Sequence, residues 1–255
     1  MATTEAEPFI QIRGLEQRFG SQQVLRGVDM DIYRGETLVL LGGSGGGKSV
    51  LLKHLPGLLK PKKGTIHVDG VEIGCLKERQ FGPIRKKIGM MFQGGALFDS
   101  FTVAQNVAFP LQEQGLKDTK EIQRLVSEAL EIVRLPGQEK KLPSDLSGGM
   151  RKRVALARAV VSRPACVLYD EPHAGLDPIT ADSIDHLIKD LQTAHGITNV
   201  VITHEMRSVF RIADRVIFLK EGQIYWSGTP DDLKNTEDPE LRAFIEGDSG
   251  ESWDS

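Results

Sequence analysis

Gly42-Gly43-Ser44-Gly45-Gly46-Gly47-Lys48-Ser49 is the stretch that decides the fold. It fits the phosphate-loop spacing GxxxxGK[ST]. The apolar run Leu38–Leu41 precedes it, and a helical pattern from Ser49 to Leu59 follows, closed by Pro61 and Gly64. Phosphate binding demands strand, glycine-rich turn and helix in that order. Glycines let backbone N–H groups converge on phosphate oxygens, and the helix turns its positive end to the same anion. Lys48 then offers a point charge to the β- and γ-phosphates, and the Ser49 hydroxyl a ligand for Mg²⁺. A flexible glycine loop with a solvated lysine fits the same string, which arises by chance in about one chain in a hundred of this length. Its place between an apolar strand and a helix removes most of that share.

Outward from this loop, the N-terminal third reads as strands. Ile10, Ile12 and Leu15 begin one apolar face, and Val28, Met30 and Ile32 alternate with polar residues. Thr65–Ile73 predicts a hairpin around Asp69-Gly70. From Ala104 to Arg134 the pattern turns helical, with Leu125, Ala129, Ile132 and Val133 suitably spaced, until Pro136, Gly137 and Pro143 interrupt it. A second helix from Ser147 carries Val154, Leu156, Ala157 and Val160. Strand and helix then alternate: Cys166–Tyr169, a helix marked by Ile184, Leu187, Ile188 and Leu191, the strand Val200–Thr203, a helix marked by Met206, Val209, Phe210 and Ala213. Val216–Ser227 predicts a hairpin around Glu221-Gly222. The alternation implies an α/β fold, a mainly parallel sheet under covering helices with the middle helices as an inserted lobe.

Composition narrows the class. With 255 residues and 40% hydrophobic content, the chain can bury a core in one large domain or two close-packed lobes. A net charge of -3 and a pI near 6.1 give no polybasic arm for nucleic acid. Cys75 and Cys166 lie far apart, so a disulfide framework is not expected and a reducing compartment is. No apolar run approaches the ~20 residues of a membrane helix. Met1–Pro8 is polar and partly acidic, unlike a secretory signal. A soluble protein is expected, whose membrane role would run through a partner. The tail from Asp248 is rich in Ser, Gly and acids and reads as disordered.

Two further motifs carry chemistry. Cys166-Val167-Leu168-Tyr169-Asp170-Glu171 is an apolar strand ending in two acids, the Walker B arrangement. Asp170 can hold Mg²⁺, and Glu171 can orient or deprotonate the attacking water. Strands often end in acids, so the segment gains its weight from following a phosphate loop. In Leu146-Ser147-Gly148-Gly149-Met150, Ser147 is a natural N-cap and the glycines a tight entry. The same geometry makes a second anion site at a helix start. One nucleotide has only one γ-phosphate for two such sites.

The phosphate loop, LSGGM, CVLYDE and Thr203-His204 occur in the order and spacing of ABC ATPases, and the resemblance covers about Phe9–Gly228. It implies a P-loop NTPase fold: a RecA-like core with an antiparallel β subdomain over about 9–93 and 163–230, and an inserted α-helical subdomain over about 94–162. Residues 1–247 would form a single ABC ATPase domain. In that family two subunits pack head to tail, each ATP lying between one phosphate loop and the other subunit's LSGG helix. By resemblance, Gly42 to Ser49 and the adjoining Val50 bind ATP, with Val50 standing where the family usually has a second Thr or Ser. Ser147, Gly148 and Gly149 contact the partner's nucleotide. Gln93 matches the Q-loop glutamine that touches Mg²⁺ or the attacking water, and could equally be a surface glutamine. Asp177 matches the D-loop residue that crosses the dimer, and could also cap the helix entered through Pro178. His204 matches the switch histidine on the γ-phosphate. Phe19 matches the aromatic that stacks on adenine, where tyrosine is commoner, and could equally be core. Lys48, Gln93, Glu171 and His204 form the implied catalytic set, with Ser49, Gln93 and Asp170 on Mg²⁺. His173 replaces the common Thr or Ser of DEPTxGLD and adds a titratable group near the base. His54, His67, His186 and His195 show no ligand spacing. Lys60–Lys63 reads as a solvated loop, and Tyr225 and Trp226 as packing in the last hairpin.

Some segments point further. Phe92-Gln93-Gly94-Gly95-Ala96-Leu97-Phe98, Asp177-Pro178-Ile179-Thr180, and Asp238-Pro239 with Arg242, Phe244 and Gly247 are similar to MlaF-type subunits. Those energise phospholipid movement between the two membranes of Gram-negative bacteria, with relatives in plastids and actinobacteria. The resemblance implies a second copy of the chain, an MlaE-type permease, an MCE-domain protein and a STAS-domain protein, at the cytoplasmic face of the inner membrane. Gly94–Phe98 would help form the groove for the permease's coupling helix, and the similarity stops at Gly247. Amino-acid importers and efflux subunits share the general motifs. A soluble iron–sulfur assembly ATPase is the rival outside transport. A non-catalytic scaffold is disfavoured by the presence of Lys48, Glu171 and His204.

Overall fold

In chain order, the elements are β1 (Pro8–Phe19), β2 (Gln22–Tyr33), β3 (Thr37–Leu41), α1 (Lys48–His54), β4 (Lys63–Val68), β5 (Val71–Glu72), α2 (Gly82–Lys87) and β6 (Ile88–Met91). Then follow α3 (Val103–Glu113), α4 (Thr119–Ile132), α5 (Gly148–Val160), β7 (Cys166–Asp170), α6 (Pro178–His195), β8 (Thr198–Ile202) and α7 (Met206–Ile212). The last elements are β9 (Arg215–Lys220), β10 (Gln223–Gly228), α8 (Pro230–Lys234) and α9 (Pro239–Glu246). This computed structural model describes residues 7–247. The expected disordered tail over 248–255, and all but the end of the polar start Met1–Pro8, lie outside the described residues.

The strands form two sheets. One has six strands in the order β10-β9-β3-β8-β7-β6, parallel throughout except for the β9–β10 hairpin. The other is antiparallel, in the order β2-β1-β4-β5. The parallel sheet is buried on both faces, as successive residues of its strands show. Val39 and Leu41 join one apolar cluster with α3 to α7 and α9, while Leu38 and Leu40 join a second with α1 and the antiparallel sheet. Val167 and Tyr169 likewise face the first cluster, Cys166 and Leu168 the second. Side chains alternate across a strand, so covering both faces requires the near-continuous apolar runs seen here.

The predicted strands and both hairpins are present, and the helix expected from Ser147 starts at Gly148 with Ser147 as its N-cap. Three expectations change. The helix predicted for Ser49–Leu59 stops at His54, because Pro56 has no N–H to continue the ladder and Gly57 turns left-handed at φ 72°. The long pattern Ala104–Arg134 is two helices, broken at Gly115 (φ 86°) and restarted by Asp118, whose carboxylate accepts from Lys120 and Glu121 N–H. Of the pair placed in the last hairpin, Trp226 packs on the core, whereas Tyr225 is exposed and donates to Asp238 at 2.8 Å.

Helix α5 lies against β6 at a point where no side chain fits. A Cβ added to Gly89 would stand 2.1 Å from the Ala159 carbonyl oxygen, a backbone atom that cannot swing away. Gly89→Ala is therefore expected to destabilise the chain by about 1–3 kcal/mol, the usual cost of overpacking. Thermal unfolding reads this as roughly 2–4 °C of midpoint per kcal/mol. An unchanged midpoint would mean that α5 moves off β6 at little cost.

Candidate active site at the strand ends

Four parallel strands deliver the site to one edge of the sheet. Leu40 pairs with Ile202, and Ile202 with Asp170, so these residues stand at one level. The chain leaves β3, β8 and β7 together, carrying the glycine loop, Thr203-His204 and Glu171. Met91 pairs with Tyr169, which puts Gln93 level with Glu171 two residues on. Ligands of parallel α/β sheets gather at this carboxyl edge for the same reason.

The loop 42–47 leads into α1 with Gly47 as N-cap at φ 98°, a left-handed conformation that costs glycine little. Lys48 is buried, and its Nζ donates to the carbonyls of Gly42 at 2.7 Å and Gly43 at 2.9 Å. Burial lowers its pKa, against the opposing pull of Glu171 and Asp170. Ser49 Oγ donates to Asp170 Oδ1 at 2.9 Å. A hydroxyl and a carboxylate, both oxygen donors, suit Mg²⁺, whose remaining positions water and phosphate fill.

Glu171 is the centre of the polar network. Gln93 Nε2 donates to its Oε2 at 2.8 Å, and His204 Nε2 lies 3.0 Å from Oε1. Its backbone is left-handed at φ 49°, uncommon for a non-glycine residue, and is held by the bond from its N–H to the Ile202 carbonyl at 3.0 Å. Strain of this kind, of order 1–3 kcal/mol, clusters at functional sites. A cleft of about 370 Å³ opens between Phe19 and Val24 on one side and Ser44–Val50, Glu171 and His204 on the other. Phe19 is 46% exposed there, free to offer a ring face to a ligand rather than filling the core.

The remaining predicted residues stand apart from this cleft. Ser147 caps α5, accepting from Met150 N–H at 3.3 Å, and none of Ser147, Gly148 or Gly149 lines the cleft. A Cβ on Gly149 would meet Thr180 Cγ2 at 2.4 Å, so this glycine also lets α5 approach the start of α6. Asp177 caps α6, accepting from Ile179 N–H at 3.1 Å, Thr180 N–H at 3.0 Å and the Thr180 hydroxyl at 2.6 Å. The Thr180 hydroxyl bond holds the Asp177 carboxyl below its ordinary pKa. Beside it, Ile179 is 84% exposed.

Sequence reasoning missed several residues. Val24 forms a wall of the cleft. Lys152 donates to the Gln93 carbonyl, and Arg158 grips the Gly95 and Ala96 carbonyls at 2.6 Å each. Both cations come from α5, and burial lowers the pKa of each. The only trace in sequence is a pair of basic residues on the inner side of a helix, a weak signal because Lys and Arg so often lie along apolar surfaces.

A phosphate loop, a hydroxyl–carboxylate pair for Mg²⁺ and a held carboxylate at the ends of adjacent parallel strands define a nucleotide-hydrolysing cassette. The family profile described as ABC transporter matches residues 25–174, and the chain belongs to that family. It is 41% identical to "Probable ribonucleotide transport ATP-binding protein mkl" of Mycobacterium leprae over 93% of this chain and 69% of that one. It is 42% identical to the methionine import ATP-binding protein MetN of Brucella abortus over 87% of this chain and 60% of that one. The dimeric post-hydrolysis cassette MJ0796, bound to ADP and Pi, superposes with a TM-score of 0.79 at 30% identity, covering 87% of this chain and 98% of that one. The chain is an ATPase that uses ATP and Mg²⁺ and whose hydrolysis is coupled to transport.

Two substitutions test the geometry. Glu171→Gln is expected to lower ATP turnover by about 10²–10⁴-fold, the span of a lost general base, while leaving ATP binding intact. Wild-type turnover in this variant would remove Glu171 from that role. Lys48→Ala is expected to weaken ATP binding about ten- to a hundredfold, the loss of a charged hydrogen bond of ~1.5–3 kcal/mol. Equilibrium binding of a fluorescent ATP analogue measures it.

Proposed function

We propose that this chain is the ATP-hydrolysing subunit of a phospholipid transporter, bound at the cytoplasmic face of the inner membrane to an MlaE-type permease. An MCE-domain protein and a STAS-domain protein complete the assembly. Residues 1–247 act as a single ATPase domain, with the core over about 9–93 and 163–230 and the helical part over about 94–162. Two copies close head to tail on two ATP molecules, Ser147–Gly149 of each capping the other's γ-phosphate. The separation of two anion-binding helix starts within one chain supports this arrangement.

In the closed dimer, Lys48 and the loop N–H groups hold the β- and γ-phosphates and Phe19 stacks on adenine. Ser49, Asp170 and Gln93 would hold Mg²⁺, which neutralises charge on the phosphates. Glu171 takes a proton from the attacking water as the new P–O bond forms and the bond to the ADP oxygen breaks. Gln93 and His204 each hold one oxygen of that carboxylate. Carboxylate oxygens accept more than one bond each, so a water can join them. Asp177 lies at the dimer seam beside the exposed Ile179.

The observation that carries the lipid reading is the segment Phe92–Phe98. It leaves β6 at the helical layer, with Gly95 and Ala96 both left-handed, at φ 76° and 47°. Phe98, 41% exposed, stacks with Phe101 and Phe109 at centroid distances of 4.9 Å each. An aromatic cluster joined to the Gln93 loop, with the Phe98 ring exposed and Phe101 and Phe109 half-buried behind it, suits an apolar helix from a membrane protein. The tail residues of the same resemblance are folded onto the site's flank, Phe244 lying 5.0 Å from Phe218 and 6.4 Å from His204. Among the described residues no helix is long and apolar enough to cross a membrane. The names of Mkl and MetN attach other cargoes to relatives of similar identity.

Affinity purification from detergent-solubilised native membranes, read by mass spectrometry, tests this. A multi-pass permease with an MCE-domain protein is expected, and phospholipid should stimulate ATP hydrolysis by the purified complex. A permease accompanied by a substrate-binding protein for nucleotides or methionine would overturn the lipid reading. Soluble assembly factors alone would remove the chain from transport.

A further inference from the structure

We propose that His173 is a positioning residue for ATP hydrolysis, a buried strut that fixes Glu171 and His204 relative to each other from behind the nucleotide cleft. The proposal rests on the assignment of those two residues as the hydrolytic pair. His173 lies two residues beyond Glu171, in the turn between β7 and α6, and is 8% exposed. Its Nε2 is 2.7 Å from Asp185 Oδ1 on α6, and its Nδ1 is 3.3 Å from Thr203 Oγ1 at the end of β8. Asp185 Oδ2 accepts from Ser208 Oγ on α7 at 2.7 Å, and Thr203 Oγ1 accepts from Glu205 N–H at 3.0 Å. Asp185, Thr203 and Ser208 are all buried. None of the four side chains lines the nucleotide cleft.

One direction of donation leaves no hydroxyl proton unpartnered. Ser208 Oγ–H and His173 Nε2–H donate to the two carboxylate oxygens of Asp185. Thr203 Oγ1–H donates to His173 Nδ1, and Glu205 N–H donates to Thr203 Oγ1. A buried chain with every member satisfied is rigid, because breaking any link leaves a polar group unpaired in a low dielectric. An imidazole has nitrogens on opposite sides of its ring and so spans two partners. The hydroxyl of a threonine or serine, one bond from Cβ, does not reach both.

What the strut joins decides its function. On one side is the turn that begins at Glu171, closed by Ala174 N–H to the Glu171 carbonyl at 3.2 Å and Leu176 N–H to the His173 carbonyl at 3.1 Å. On the other is Thr203, next to His204, whose imidazole lies 3.0 Å from the Glu171 carboxylate. Glu171 and His204 thus meet twice, directly at the cleft and indirectly through Thr203–His173 behind it. The second path fixes the first without touching nucleotide. A base held to within a fraction of an ångström matters, since a 1 Å misplacement can cost about 10²-fold in rate.

The test is a double-substitution cycle on the full chain, purified with its permease if hydrolysis needs it. His173→Phe keeps a ring but removes both bonds. Thr203→Val is nearly isosteric, removes only the hydroxyl, and keeps the test decisive if His173→Phe does not fold. Each is expected to lower kcat about tenfold or more while KM for ATP stays within about twofold. The double variant should be no slower than the slower single one, because both cut the same link. Unchanged kcat in Thr203→Val, losses that multiply in the double variant, or a rise in KM with kcat kept would overturn the strut. Glu171→Gln run in the same assay separates the two levels. Turnover lost there but kept in Thr203→Val and His173→Phe overturns the strut alone, whereas turnover kept in Glu171→Gln overturns the assignment beneath it.

Discussion

The register of three parallel strands is the constraint on which the rest depends. β3, β8 and β7 are tied across their width by a buried polar chain: Tyr169 Oη donates to Asn199 Oδ1 at 3.1 Å, and Asn199 Nδ2 to Thr37 Oγ1 at 3.1 Å. Asn199 Nδ2 also lies 3.3 Å from the Ile188 carbonyl on α6. In an otherwise apolar sheet such a chain specifies one pairing. A slip of one residue in any strand would strand these groups unpaired and exchange the two apolar faces. It would also shift Asp170 from Ser49 and Glu171 from Gln93. The same register therefore selects the fold and assembles the site.

Legibility in the sequence followed how local each signal was. The phosphate loop, the acids after Tyr169 and the capped start at Ser147 are contiguous strings whose chemistry is set by neighbours in the chain. Their places at the strand ends and at the head of α5 followed. Phe19 and His204 needed a resemblance to be noticed, since one aromatic and one histidine carry no spacing of their own. Lys152, Arg158 and the His173 network lay beyond reach, because each acts on residues far away in sequence, from 30 to 63 positions for their longest links. The helices α8 and α9 were written locally and still passed over: Thr229 with Asp232 forms a capping box, and Asp238-Pro239 a cap with proline at the first position. Their shortness hides the apolar period that makes a helix visible.

The helix α5 joins the Ser147–Gly149 segment to the Gln93 loop. Its first turn carries Ser147–Gly149, its middle holds the Gln93 carbonyl through Lys152, and its last turns grip Gly95 and Ala96 through Arg158. Gly89 keeps the far end of the helix tight on β6. A force on the N-terminus of α5 is thus applied to the Gln93 loop through hydrogen bonds to its backbone, which do not depend on which side chains the loop bears. The aromatic cluster of Phe98, Phe101 and Phe109 hangs from the same loop, steadied by buried Asn106, which exchanges bonds with Phe98 N–H and the carbonyls of residues 98, 101 and 102.

Within a single chain the Glu171 carboxylate is held from several directions, whereas the second helix start, Ser147–Gly149, lies apart from the cleft. Glu171 already has its left-handed backbone, its two side-chain partners and its tie to Ile202. The cleft in front of it is lined by Phe19, Val24, Ser44–Val50 and His204, while Ser147–Gly149 stand elsewhere at a helix start, Ser147 exposed and the two glycines half-buried. Electrostatic stabilisation of a transferring phosphoryl group needs donors on every oxygen and exclusion of water. In the proposed head-to-tail dimer, where Glu171 is the base and Ser147–Gly149 of the second copy bring further donors, rate would be linked to closure rather than to ATP binding alone. On that proposal the rigidity is placed at the strand ends, where hydrogen bonds fix Glu171 and its neighbours, and the part that would move is a whole helix end.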